Sequence, residues 1–226
     1  MENTEIMTAE QSSQLSTNVF SDPEAFQSLF NIGKMFASSS LVPQAYQGKP
    51  MDCTIACDMA NRMNVSPMFV MQNLYVVKGK PSWSGQACMS MIKASPIFKS
   101  VKPVYIGERN TDSWGCYISA IRKEDGEEIH GAEVTIKMAK EEKWYSKKDK
   151  YGNETSKWQT MPELMLAYRA AAFFAKVYIP NSLMGCSVEG EAEDITKAPV
   201  SAVPDPFADS QTMKEASEVF DNVIDE

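Results

Sequence analysis

The chain has 226 residues, 43% of them hydrophobic, enough to bury one core but too few for two large domains with ordered ends. No stretch approaches the roughly 18 consecutive apolar residues of a membrane span, and the start, MENTEIMTAEQSS, has neither the basic region nor the apolar run of a signal peptide, so a cytoplasmic location is expected. The formal charge of −8 hides an asymmetry: residues 31–186 hold 20 bases and 14 acids, whereas residues 187–226 hold eleven acids against Lys197 and Lys214. A basic centre is what a nucleic-acid-binding core presents, because Lys and Arg at phosphates supply most non-specific affinity; a solvated basic face is the plain alternative.

Residues 1–20 are polar and lack a sustained apolar period, which reads as a disordered segment. Order is expected from Ser21, where Ser21 or Asp22 caps a helix with Pro23 in its first turn and Phe26, Leu29, Phe30 and Phe36 on one stripe, ended by Ser38, Ser39 and Ser40. A second helix is expected over residues 50–63, with Ile55, Ala56, Met59, Ala60 and Met63 facing inward, and Ser66-Pro67 starts a short turn. Residues 74–77 and 81–84 flank Lys78-Gly79-Lys80, a hairpin with two lysines at its tip. Ser84 then caps a helix to about Ala94, with Ala87, Cys88, Met91 and Ile92 inward.

Strands are expected over 101–106, 114–121 and about 127–134, the last two joined at Asp125-Gly126, which makes an antiparallel meander. A short helix over 136–144, capped by Thr135, leads into a mobile loop; residues 137–157 together carry seven lysines and four acids. Thr160-x-x-Glu163 matches a capping box and Pro162 suits a first turn, so the clearest helix should begin at Thr160 and end before Pro180. Beyond it the tail, residues 187–226, is acidic, with Pro199, Pro204 and Pro206 in a linker. Apolar residues recur from Met213 to Ile224 as in a short partner-binding helix.

The chemistry-bearing residues are few. Cys53, Cys57, Cys88, Cys116 and Cys186 form an odd set without a CxxC pair and read as reduced thiols; Cys53 and Cys57 share a helical face but lack two further metal ligands nearby. His130 is the only histidine, and it falls on a strand. No GxxxxGK[ST] loop is present to cradle phosphates, so ATP-driven strand pairing is excluded. A Mg²⁺ nuclease would need Asp125 to meet Glu141-Glu142-Lys143, but that signature belongs on a strand and lies here in helical composition.

The positive signal is interleaved cations and rings, which suits single strands held by phosphate charge and base stacking. Lys137, Lys140, Lys143, Trp144, Tyr145, Lys147, Lys148, Lys150, Tyr151, Lys157 and Trp158 carry it, and Arg169 and Lys176 share a helical stripe with Phe173 between them. The same residues also fit a core of Trp158 and Phe173 under solubilising lysines, and from the residues alone both readings stand.

Taken together, SLVPQAYQGKPMDCTIACDMANRMNVSPMFVMQNLYVVKGKPSWSGQACMSMIKAS, the strand pair after it, and W-x-T-x-P-x-x-M-L-x-x-R-A from Trp158 to Ala170 resemble the RecT family of phage-type single-strand annealing proteins, over about residues 26–185. The resemblance implies an α+β core over residues 21–186, with a small antiparallel sheet packed on a long helix beside additional helices. It further implies assembly into homo-oligomeric rings or filaments, a basic groove holding single-stranded DNA and then the annealed duplex, and no enzyme activity, nucleotide hydrolysis or cofactor. It assigns phosphate binding to Arg169, with Lys157, Trp158 and Gln159 before its helix, and adds Lys80, Gln86 and Lys123; the basic run and stripe contribute Lys147 and Lys176. Trp83 and Thr160 are expected to pack and cap. The sequence departs from a strongly basic pattern in having Tyr168 and Ala172 beside Arg169. Family members work beside a phage exonuclease and the host single-strand-binding protein in a bacterial cell, and this chain is expected to be phage or prophage encoded. The alternative functions are a protective single-strand-binding protein and the nuclease.

Overall fold

A computed structural model describes residues 19–188 apart from Lys78. Of the segment 1–20 expected to be disordered, residues 1–18 lie outside the described residues, as do the proline-containing linker, the Met213–Ile224 helix and one of the two hairpin lysines, whereas residues 19 and 20 fall in a 3-10 turn.

After a 3-10 turn over Val19–Ser21, α1 spans Pro23–Ala37, and the Asp22 carboxylate accepts from the backbone N–H groups of Glu24 and Ala25 at 3.0 and 3.2 Å. Its aromatic stripe is only half-buried; the fully buried positions are Gly33 and Ala37. They face α2, Pro50–Met63, where a Cβ on Gly33 would stand 2.2 Å from Thr54 Oγ1 and 2.9 Å from the Pro50 carbonyl, so glycine is what allows the two helices to meet. On α2 the expected inward face is corrected: Cys53, Ala56, Cys57 and Ala60 are buried, but Ile55 is 53% exposed. The small side chains pack where neighbouring backbone comes close, and the larger Ile55 is left outside. Burial, then the neighbouring Cys53, pushes the Cys57 thiol up to about 11; all five cysteines are free thiols, and four are buried.

Helix α3, Pro67–Asn73, is capped by Ser66 and leads into the hairpin of β1, Leu74–Val77, and β2, Lys80–Trp83, whose turn uses Gly79 at φ +79°. The short β7, Ser187–Val188, joins β2 in parallel and makes this a three-stranded mixed sheet. Trp83 packs as expected: it is fully buried, and its indole N–H donates to the Leu183 carbonyl at 3.0 Å. Helix α4, Gly85–Ala94, is capped by the Ser84 hydroxyl, which accepts from Ala87 N–H at 3.0 Å; Ala87, Cys88, Met91 and Ile92 are all buried.

The second sheet is antiparallel. Strand β4, Gly115–Arg122, pairs with β3, Phe98–Ile106, on one side and with β5, Glu128–His130, and β6, Val134–Thr135, on the other. One strand was expected where β5 and β6 stand. Gly131 divides them, since its N–H donates to the Ile118 carbonyl at 2.8 Å and a Cβ there would lie 2.9 Å from the Phe174 ring.

Helix α5, Ile136–Glu141, is capped by Thr135 as expected, but it ends before Trp144. The start of the long helix is also corrected. Ser156, not Thr160, caps a short α6, Lys157–Thr160; α7 then runs Pro162–Tyr178 from Met161, with no side-chain cap. Glu163 turns outward to Arg109 at 2.9 Å, so no capping box closes.

Helix α7 lies on the antiparallel sheet. Phe98 meets Phe174 edge-on at 5.3 Å between ring centroids, and the Tyr105 hydroxyl donates to the Glu163 carbonyl at 3.2 Å, so β3 and α7 run in opposite directions. The fold is α+β, with a small antiparallel sheet against a long helix. Among the described residues no helix is long and apolar enough to cross a membrane.

Candidate nucleic-acid interface

The segment between α5 and α6 is an internally bonded loop rather than a featureless one. Lys143, at φ +62°, turns the chain so that the N–H groups of Trp144 and Tyr145 both donate to the Ala139 carbonyl. The two arms are then joined by Glu154, whose carboxylate accepts from the Ser146 hydroxyl at 2.5 Å, from Lys147 N–H at 2.7 Å and from Ser156 N–H at 2.9 Å. Those donors, the Ser146 hydroxyl first, hold the Glu154 carboxyl at about 2. At the tip, Asp149 accepts from the Asn153 side-chain amide and from the N–H groups of Asn153 and Tyr151, and its carboxyl is lowered by those bonds, that of the amide first. Gly152, at φ +87°, closes the turn.

Beneath the loop, Trp144 is half-buried and Trp158 is 4% exposed; their ring centroids lie 6.0 Å apart, and Phe173 meets Trp144 edge-on. The Arg169 guanidinium lies 3.9 Å from the centroid of the Trp144 ring, and the residue is 8% exposed. The Ser156 hydroxyl donates to the Trp144 carbonyl at 2.9 Å, and the Gln159 amide to the Tyr145 carbonyl at 3.3 Å. These contacts clamp the loop onto α6 and α7.

Of the expected site residues, Lys147, Lys157 and Gln159 are brought into one exposed corner. Trp158 and Arg169 lie under it and are buried, Trp158 beside the Trp144 ring and the Arg169 guanidinium over that ring. Lys123 and Lys176 stand elsewhere. Lys123 N–H bonds the Ile97 carbonyl beside Phe98, near the C-terminal part of α7 that also carries Lys176, roughly a 25 Å helix length from Lys157. Gln86 is exposed in the first turn of α4, next to Gly85, where a Cβ would stand 2.6 Å from Tyr168 Cβ; Lys80 stands exposed at the turn end of β2.

The nuclease constellation is not assembled. Asp125 pairs with Arg122 at one end of β4, whereas α5 follows the β6 strand paired to the other end, a strand length of roughly 25 Å away. Among the described residues no group of three or more His, Cys, Asp or Glu is placed to hold a metal. His130 is exposed beside Glu128 and Tyr117.

Sequence reasoning missed Asp149, Glu154 and Ser156. The first had a local signal in Asp-x-x-Gly-Asn turn chemistry and the last in its place before a helical turn; Glu154 had none, because its partners lie on the opposite arm. No family model, curated protein or solved structure matches the chain.

Proposed function

We propose that this chain binds single-stranded DNA and anneals complementary strands without ATP, acting as an assembly of copies in the bacterial cytoplasm. The observation that carries the reading is a sorting of charge on the loop. Lys143, Lys147, Lys148, Lys150 and Lys157 are exposed and enter no ion pair among the described residues, while the intervening acids Asp149 and Glu154 are taken up by the loop's own donors. Asp149 and Glu154 keep their charge, but with five lysines against these two acids the segment 143–157 is net positive, and none of its lysines is tied up in an ion pair among the described residues, so it attracts a polyanion of any sequence, which annealing requires. The resemblance of residues 26–185 to single-strand annealing proteins supplies the second half of the reading, pairing rather than mere protection, together with a nuclease and a single-strand-binding protein as partners.

The test is to mix complementary oligonucleotides with the protein, without nucleotide or Mg²⁺, and follow duplex formation. Acceleration over the protein-free control is expected. Binding without acceleration rejects annealing in favour of protection, and Mg²⁺-dependent cleavage abolished by Glu142→Ala rejects it in favour of a nuclease.

A further inference from the structure

We propose that Tyr151 is a stacking platform for an unpaired nucleic-acid base, carried at the tip of the lysine-bearing loop. The proposal rests on the single-strand reading above and names the residue through which that surface meets bases rather than phosphates.

Four aromatic residues lie between Lys143 and Trp158, and three are committed inward. Trp158 is buried, Trp144 is half-buried with Arg169 over its ring, and Tyr145 is half-buried with the Lys140 ammonium 5.2 Å from its ring centroid. Tyr151 is 76% exposed, the most exposed aromatic side chain among the described residues. Its backbone is fixed all the same: its N–H donates to Asp149 Oδ1 at 2.8 Å, and Asp149 N–H and the Asn153 carbonyl close the turn around it at 2.9 Å. A fixed backbone leaves only the side-chain rotamers to be ordered when the ring stacks, which lowers the entropy cost of binding.

The surroundings select the ligand. The Lys150 ammonium sits over one face of the Tyr151 ring, 4.9 Å from its centroid, so a base would take the opposite face, and Lys147 and Lys148 are exposed on the preceding arm. A cation at the ring and two more within four residues hold a polyanionic backbone while the ring takes one of its bases. Bases in a duplex are already stacked on their neighbours, so this arrangement selects unpaired strand; every base has a π face, so it carries no sequence preference.

The experiment compares the full-length protein with Tyr151→Ala and Tyr151→Phe, binding a labelled oligodeoxythymidine and an abasic oligomer of the same length and charge. For Tyr151→Ala, affinity for the oligodeoxythymidine is expected to fall about five- to tenfold, the lower part of the range for base–aromatic stacking. Affinity for the abasic oligomer and the salt dependence should not change, and Tyr151→Phe should bind like the parent. Equal loss on both oligomers, or no loss on either, overturns the stacking role and leaves the single-strand reading standing. Failure of the parent protein to bind oligodeoxythymidine overturns both. The exposed position makes a folding defect unexpected, and thermal melts of the variants check it.

Discussion

The chain from Lys143 to Lys157, with the face of α7 beneath it, divides into two layers of opposite character. In the inner layer Trp158, Phe173 and Arg169 pack around the Trp144 ring, and in the outer layer exposed lysines and Tyr151 stand on a backbone pinned by Asp149 and Glu154. In the sequence the two sets interleave and look like one basic-aromatic motif. Depth separates them, and with it their roles: the inner layer holds the loop to the core, and the outer layer is what a ligand can reach. Substitutions in the two layers should therefore fail in different assays.

The largest effect is expected in the inner layer. Trp158→Ala removes a buried indole from between the loop and α7 and should cost about 3–5 kcal/mol in denaturant unfolding. A loss under about 1 kcal/mol would mean that the clamp is not structural. Arg169→Ala uncovers the Trp144 ring and should cost about 2 kcal/mol by the same measurement. Any loss of DNA binding in that variant should then follow its loss of fold instead of appearing in a fully folded protein.

Smaller differences sharpen the boundary between the layers. Ser156→Ala removes both a cap and a bond to the Trp144 carbonyl and should cost about 1–2 kcal/mol, whereas Thr160→Ala should stay within about 0.5 kcal/mol, because Thr160 ends α6 and caps nothing. Equal costs would restore Thr160 as the cap. For Glu154 the test is pH. Its carboxyl is lowered from 4.5 to about 2 in the folded chain, so the unfolded chain takes up the proton first as pH falls. The stabilisation is present above 4.5 and is lost as pH falls toward about 2. Protection of the loop amides, followed by hydrogen exchange, should decline across that window in the parent and show no such step in Glu154→Gln.

Much of the fold was legible because it is written in local chemistry. Asp22, Ser84 and Thr135 cap where short polar residues precede apolar runs, and Gly79 and Gly126 turn where strands must reverse, whereas Ser66-Pro67, expected to open only a turn, opens the helix α3. What escaped depends on neighbours distant in sequence. The face of α2 is set by the approach of Gly33, the break between β5 and β6 by the Phe174 ring, and the separate short α6 opens four residues upstream of Thr160 at Ser156, whose hydroxyl also donates to the Trp144 carbonyl across the loop. Within the site the lysines of the exposed corner could be read from composition. Trp158 and Arg169 could not, since an interleaved motif does not say which of its members face water.

The central claim, that the outer layer meets phosphate, is tested most directly by measuring single-stranded DNA affinity against salt for the parent and for a Lys147→Ala/Lys157→Ala double variant. If both lysines contact phosphate, the slope of log K against log salt should fall by about 0.7 to 1 unit for each, with unfolding unchanged. An unaltered slope and affinity in the folded double variant would contradict the account.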